Sequence, residues 1–313
     1  MDFLNTFINV LLVVVLAVPG YCLRKAKLLP ENTAGIFAVL LLYISQPFLM
    51  ISSLLSKTFE PSMLLDFAWI LLFAVLLQLL VYFAAKLFFV KEKDMAAKRA
   101  CEACSYLGNV GFMGIPVMQM LFPENPEMIL YTVVYNIAFN AMTWTLGVFA
   151  VTGERKFVKP LKVVLNPPTI AVIVALPLFF CNVPIPEQVM TPIRYLGDMT
   201  LPLSMIILGL RLADMRLISL VNDWKVYMVA FVKLVVSPLL CLGVLVLCGL
   251  FMPIGRTVII ALYIIAAMPT ASSALNFAEM YGGAKETAAA ATLMNTIICI
   301  ATIPILMLLT QFV

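Results

Sequence analysis

Ten apolar runs, each near the length of a membrane-crossing helix, constrain this chain more than any other feature. They cover residues 3–23, 34–55, 63–90, 99–121, 128–151, 163–181, 192–213, 225–251, 257–281 and 286–312. A helix needs ~20 apolar residues to cross the hydrocarbon of a bilayer. The links are short and carry Pro, Gly or basic residues, as at 24–33, 91–99 and 152–162. Only 12% of the residues are charged and 64% are hydrophobic, whereas soluble domains average ~25% charged. Lipid must therefore solvate much of the surface. The expected fold is an all-α polytopic membrane protein with ten transmembrane helices, numbered here as segments 1–10, and no room for a soluble domain.

Several function classes drop out at once. The net charge of +4 is too small to argue for a nucleic-acid partner. Histidine is absent, which removes the commonest metal ligand and proton shuttle together. With no H-E-x-x-H and no nucleophile–base pair, a membrane-embedded enzyme is not expected. Cys101 and Cys104 form a lone C-x-x-C that opens an apolar helix, where packing explains them better than a metal. Nothing calls for a cofactor. The chain starts Met1-Asp2-Phe3 without a basic region, so segment 1 reads as a retained helix and not a cleaved signal.

Basic residues select the orientation, because cytoplasmic loops are enriched in Lys and Arg. The odd-numbered links hold fifteen of them, including Arg24, Lys25, Lys27, Lys91, Lys93, Arg155 and Lys156; the even-numbered links hold three, Lys57, Arg194 and Arg256. Both termini are expected on the non-cytoplasmic side of a cell (inner or plasma) membrane.

Landmarks repeat at one offset. Pro19 and Pro177 are 158 positions apart, Asn136 and Asn295 are 159 apart, and Ser45–Met50 resembles Thr200–Met205 at 155. Residues 1–151 and 163–313 thus read as two five-helix repeats. Five is odd, so the second copy is inverted, a recurring device of secondary transporters with the substrate site at mid-membrane.

Segments 4 and 9 carry the local signal. Segment 4 contains Gly108-Asn109-Val110-Gly111-Phe112-Met113-Gly114-Ile115-Pro116, and segment 9 contains Met268-Pro269-Thr270-Ala271-Ser272-Ser273. Gly and Pro weaken a helix interior, and the hydroxyls of segment 9 suit the cap of a restarted helix. Each segment is expected to be two half-helices, the second starting near Gly114–Pro116 and near Ser272–Ser273. Irregular backbone at membrane depth must line a cavity or be buried in protein. Spaced glycines also serve close helix packing, and prolines also merely kink. Two such breaks at equivalent repeat positions favour a binding site.

The run Asn109-Val-Gly-Phe-Met-Gly-Ile-Pro116 resembles the fourth-helix motif of the auxin efflux carrier family. Ala267-Met-Pro-Thr-Ala-Ser272, followed by Glu279-Met-Tyr-Gly-Gly283, resembles its ninth-helix motif. The likeness covers the whole chain, and the short link between segments 5 and 6 resembles bacterial members more than plant ones. The resemblance implies a fold like that of bile-acid symporters and some sodium/proton antiporters, with broken helices 4 and 9 crossing. Helices 1, 2, 6 and 7 would be a scaffold that forms a homodimer, and helices 3–5 and 8–10 a transport domain moving like an elevator. It also places Asn109 at the family's carboxylate-contacting asparagine. Arg211 and Asp214, at the end of segment 7, depart from the plant pattern.

The candidate substrate-binding residues are Asn109, Gly108, Pro116, Pro269, Thr270, Ser272, Ser273, Asn276, Asn136 and Asn295. Ionisable groups inside spans are functional candidates by default; Asp198 and Lys233 are the candidates for coupling to Na+ or H+, an ion the residues leave open. The expected function is a secondary transporter of a small organic anion, a carboxylate of auxin-like or dicarboxylate type. A sodium-coupled symporter of the bile-acid type is the alternative. A channel is the weaker one, because no filter-like ring is visible.

Overall fold

The computed structural model describes residues 3–214 and 223–312. The fold is all-helical; among the described residues the one strand-like pairing is a single antiparallel bridge between Gly108 and Thr270. Seven helices are long and apolar enough to cross a membrane: Leu4–Lys25, Thr33–Leu55, Met63–Phe88, Glu127–Thr152, Glu187–Asp214, Trp224–Gly249 and Lys285–Phe312. Three shorter apolar helices, Val110–Leu121, Pro167–Phe180 and Arg256–Ala266, fall in segments 4, 6 and 9. Segment 6 starts later than its apolar run because of its caps. The Asn166 side chain accepts from the Thr169 N–H at 3.0 Å, and Pro167 opens the first turn, where a missing N–H costs nothing.

Proline also explains the irregular turns. Four π-helical turns occur among the described residues, at Leu41–Ser45, Val110–Gly114, Thr143–Gly147 and Val232–Val236. Three of them run directly into a helix whose second residue is proline: Pro47, Pro116 and Pro238. A proline cannot donate to the turn before it, and its ring crowds the carbonyl four residues back. Widening that turn relieves the crowding while keeping bonds such as Ile115 N–H to Val110 O.

The helices pack in an interlocked bundle, in which Phe3–Val15 of segment 1 lies against Lys285–Leu308 of segment 10. Segments 1, 2, 6 and 7 pack on one another: Val18–Lys25 against Thr200–Asp214, and Pro167–Phe180 and Glu187–Asp198 against Gln46–Leu55. Glycines allow the close approach. A Cβ on Gly209 would lie 1.9 Å from the Ala17 carbonyl oxygen, and one on Gly20 would lie 2.2 Å from that of Ile206. With lipid on both sides, such van der Waals contact replaces the hydrophobic effect as the packing force. An ion pair from Arg24 to Asp214, at 2.5 Å, closes one end of this crossing.

Segments 3, 4, 5, 8, 9 and 10 also pack on one another. Met63–Phe88 packs on Met95–Tyr106 and Glu127–Met142, and Lys285–Leu308 packs on Trp224–Phe231 and Met95–Tyr106. The largest cluster of buried apolar side chains, with Tyr263, Phe89 and Met113 fully enclosed, runs through these segments and on into Val10, Leu49, Phe179 and Met205 of the other four. The outer faces stay apolar, as at Leu76, Phe83, Leu87, Leu247 and Leu250. Water would disfavour that surface and a bilayer accepts it.

Candidate functional site

The Gly108–Thr270 bridge marks where two non-helical stretches cross. Helix Met95–Tyr106 stops, residues 107–109 are non-helical with Leu107 extended, and the chain turns helical again at Val110. Helix Arg256–Ala266 likewise stops, and Ser272–Tyr281 begins after Pro269 and an extended Ala271. The Asn109 N–H donates to the Pro269 carbonyl at 2.7 Å, and the Ala271 N–H donates to the Leu107 carbonyl at 2.9 Å. Pro269 has no N–H and biases Met268 away from helix, so these backbone groups find partners across the crossing and not along their own helices. In segment 4 the non-helical residues are 107–109, upstream of the expected Gly114–Pro116, because the π turn at 110–114 absorbs Pro116 within the helix.

Buried polar side chains brace the crossing. Thr270 Oγ1 donates to the Cys104 carbonyl at 2.7 Å and accepts from Asn295 Nδ2 at 2.5 Å. Lys233, 2% exposed, donates from Nζ to the Ala266 carbonyl at 3.0 Å, at the end of helix Arg256–Ala266. A cation suits that negative helix end. Asn136, on the other side, accepts from Asn140 Nδ2 at 2.7 Å. A Cβ on Gly111 would lie 3.0 Å from Asn136 Nδ2 and 2.2 Å from Gln46 Nε2, so the missing side chain admits both amides.

Two cavities flank the crossing on its other face, of about 290 and 160 Å³. Asn109, Phe112, Ser272 and Asn276 line both, so they are lobes of one site. The Asn109 side chain has no hydrogen-bond partner among the described residues, although the residue is only 8% exposed. The serines do not cap: Ala271 holds the cap position of helix Ser272–Tyr281, no side chain accepts there, and the buried Ser273 Oγ is unpartnered. The extended residue fell one place earlier than the serines, which leaves the first N–H groups of the helix open. Such an end attracts anions.

The sequence candidates separate into three sets. Asn109, Ser272 and Asn276 line both lobes, Thr270 the larger, and Gly108 and Ser273 the smaller. Pro116, Pro269, Asn136 and Asn295 line neither lobe; Asn295 bonds to Thr270 behind it, and Asn136 meets only Asn140 on its own helix. The two coupling candidates lie outside both lobes. Lys233 lies behind the crossing, against a cleft of about 20 Å³ shared with Gln78 and Tyr106. Asp198 is exposed near the end of helix Glu187–Asp198. Several polar lining residues were not among the candidates: Gln46, Asn140, Thr143 and Trp144 in the smaller lobe, and Ser204, Arg211, Glu279, Thr292 and Thr296 in the larger. A basic residue inside an apolar run was the one available signal, and it pointed to Arg211.

Apolar helices of membrane length around a polar cavity fit the class of membrane transport proteins. The chain matches the membrane transport protein family over residues 5–307, and so belongs to it, the family that includes the auxin efflux carriers. It is also similar to a protein of Methanocaldococcus jannaschii described as an uncharacterized transporter, with 28% identity over 219 residues, covering 66% of this chain and 69% of that one.

Proposed function

We propose that this protein is a secondary transporter that carries a small organic anion across a cell membrane by an elevator-type exchange between its two helix groups. The uncapped start of helix Ser272–Tyr281, facing a cavity with the unpartnered Asn109 amide, is the observation that carries the reading. A helix N-terminus carries roughly +0.5 of a charge. In a water-poor cavity that partial charge and its open N–H groups attract a carboxylate. Helix Val110–Leu121 starts at the same cavity wall. Asn109 and Ser272 then supply the side-chain donors.

The ten-helix inverted arrangement is part of the same proposal, and recurring packing supports it. Segment 1 packs on 7 as 6 packs on 2, and segment 3 packs on 5 as 8 packs on 10. Two copies of one unit exchanging conformations give alternating access. The cavities lie between the groups, with Leu42 and Ser204 from one and Asn109 and Asn276 from the other. A sliding movement between them would carry the site across. The scaffold helices are the expected contact of a homodimer, and the termini face away from the cytoplasm.

The test begins with thermal stabilisation of purified protein by carboxylates, indole acids and dicarboxylates, followed by uptake into proteoliposomes. Saturable uptake with counterflow is expected for a carrier. Losing a hydrogen bond to a charged group costs about 1.5–3 kcal/mol, so Asn109→Ala should weaken binding about ten- to a hundred-fold. Wild-type affinity in folded Asn109→Ala protein would place the substrate elsewhere.

A further inference from the structure

Lys233, in the wide turn Val232–Val236, reaches the back of the crossing, where its Nζ donates to the Ala266 carbonyl at 3.0 Å. A Cβ on Gly108 would lie 3.2 Å from that Nζ, so the glycine at the crossing leaves room for the amine. An ammonium has three protons to donate, and no ion pair involves Lys233 among the described residues. Gln78, on helix Met63–Phe88, is its counterpart. The two are 155 positions apart, the offset at which Ser45–Met50 resembles Thr200–Met205. Gln78 is 3% exposed; its Nε2 donates to the Ala74 carbonyl at 2.6 Å, and its Oε1 has no partner among the described residues. Two buried polar side chains, one with protons to give and one with lone pairs to fill, thus share the wall of a cleft of about 20 Å³. Leaving either unmet is costly in a protein interior.

The chemistry of the wall narrows what the cleft can take. A water needs about 10–15 Å³ of such space and two to four polar neighbours, so the volume suits one molecule. A metal cation would lie against the ammonium, and a halide would lie against Gln78 Oε1. That oxygen cannot trade places with the amide nitrogen, because the flip would set it against the Ala74 carbonyl. Water alone among these accepts from one group and donates to the other. Tyr135 and Ser237 line the same cleft and offer hydroxyls as further partners. We propose that the cleft behind the crossing is a binding site for a single water molecule, which accepts from Lys233 and donates to Gln78. The water links segment 8 to segment 3, while a second proton of Lys233 holds the end of helix Arg256–Ala266. The site is separate from the two lobes and does not depend on the anion reading.

The test is a crystal structure of the full-length protein, grown from a lipid phase, at a resolution that shows ordered water. One peak is expected within hydrogen-bond reach of both Lys233 Nζ and Gln78 Oε1, about 2.5–3.2 Å from each. Crystals prepared with rubidium and bromide in place of sodium and chloride should show no anomalous signal there. In Gln78→Met, which keeps the bulk and removes the amide, the peak should be lost. Thermal unfolding gives an independent readout. Lys233 and Gln78 make no direct bond, yet the Gln78→Met, Lys233→Met double variant should lose less than the sum of the two single shifts, because either change already breaks the bridge. If Lys233→Met does not fold, the wild-type and Gln78→Met maps carry the test. An empty cleft in a map that resolves other buried waters, an anomalous ion in the cleft, or a direct Lys233–Gln78 bond overturns the proposal. So does a peak that survives in Gln78→Met, or a pair of shifts that simply add.

Discussion

Replacing Thr270 by Val removes a hydroxyl that serves two partners at once. The Thr270 Oγ1 donates to the Cys104 carbonyl and accepts from Asn295 Nδ2, and both Thr270 and Asn295 are fully buried. Val keeps the shape and loses the bonds. Asn295 Oδ1 is already without a partner, so the substitution would leave the whole amide unmet. An orphaned buried polar group costs about 1–3 kcal/mol and a lost neutral bond about 1 kcal/mol, for a total of roughly 2–4 kcal/mol. Asn295→Leu removes the amide but leaves the Thr270–Cys104 bond, and should cost only about 1 kcal/mol on the same scale. In the double variant no amide remains to be orphaned. Its cost should fall short of the sum by about 1–2 kcal/mol, the coupling expected of residues in one hydrogen-bond pair. Thermal unfolding of the four detergent-purified proteins, followed by tryptophan fluorescence, completes the cycle. Additive shifts would refute the reasoning that Thr270 and Asn295 form one brace. A selective loss of substrate affinity in Asn295→Leu, with stability unchanged, would refute it from the other direction.

Three further outcomes are expected. In a background with the exposed Cys22 and Cys181 replaced, Lys156→Cys should label from the cytoplasmic side and Glu124→Cys from the opposite side; labelling of both from one side would rule out the orientation. Gly209→Ala should lower thermal stability far more than Gly111→Ala, because the first Cβ meets the Ala17 backbone and the second meets the movable end of Gln46, and overpacking against backbone costs about 1–3 kcal/mol or more; equal shifts would refute the close crossing of segments 1 and 7. Asp198→Asn should leave the pH and sodium dependence of uptake unchanged, since the residue is exposed and lines neither lobe; a changed dependence would return it to the coupling path.

The class of this protein was fixed by composition and run length. So many apolar residues in stretches of membrane length leave lipid as the only suitable solvent, and no packing detail could reverse that. The landmarks in segments 4 and 9 pointed to the crossing because Gly and Pro act locally, through a missing Cβ and a missing N–H. Where the backbone leaves the helix was decided by tertiary structure. The interruption fell at 107–109 and not at Pro116, because a wider turn could absorb the proline while the extended residues found partners on the other segment. The surroundings of Thr270, Asn136 and Asn295 were decided in the same way. As residue types they serve equally to bind a substrate or to brace a helix, and only the fold joins Thr270 to Asn295 and Cys104 while Asn136 meets Asn140 on its own helix. Arg211 shows the reverse. In sequence it is a basic residue inside an apolar run; only the tertiary structure sets it on the wall of the larger lobe, with Nη2 on Asn276, while Asp214 pairs with Arg24, 190 residues away.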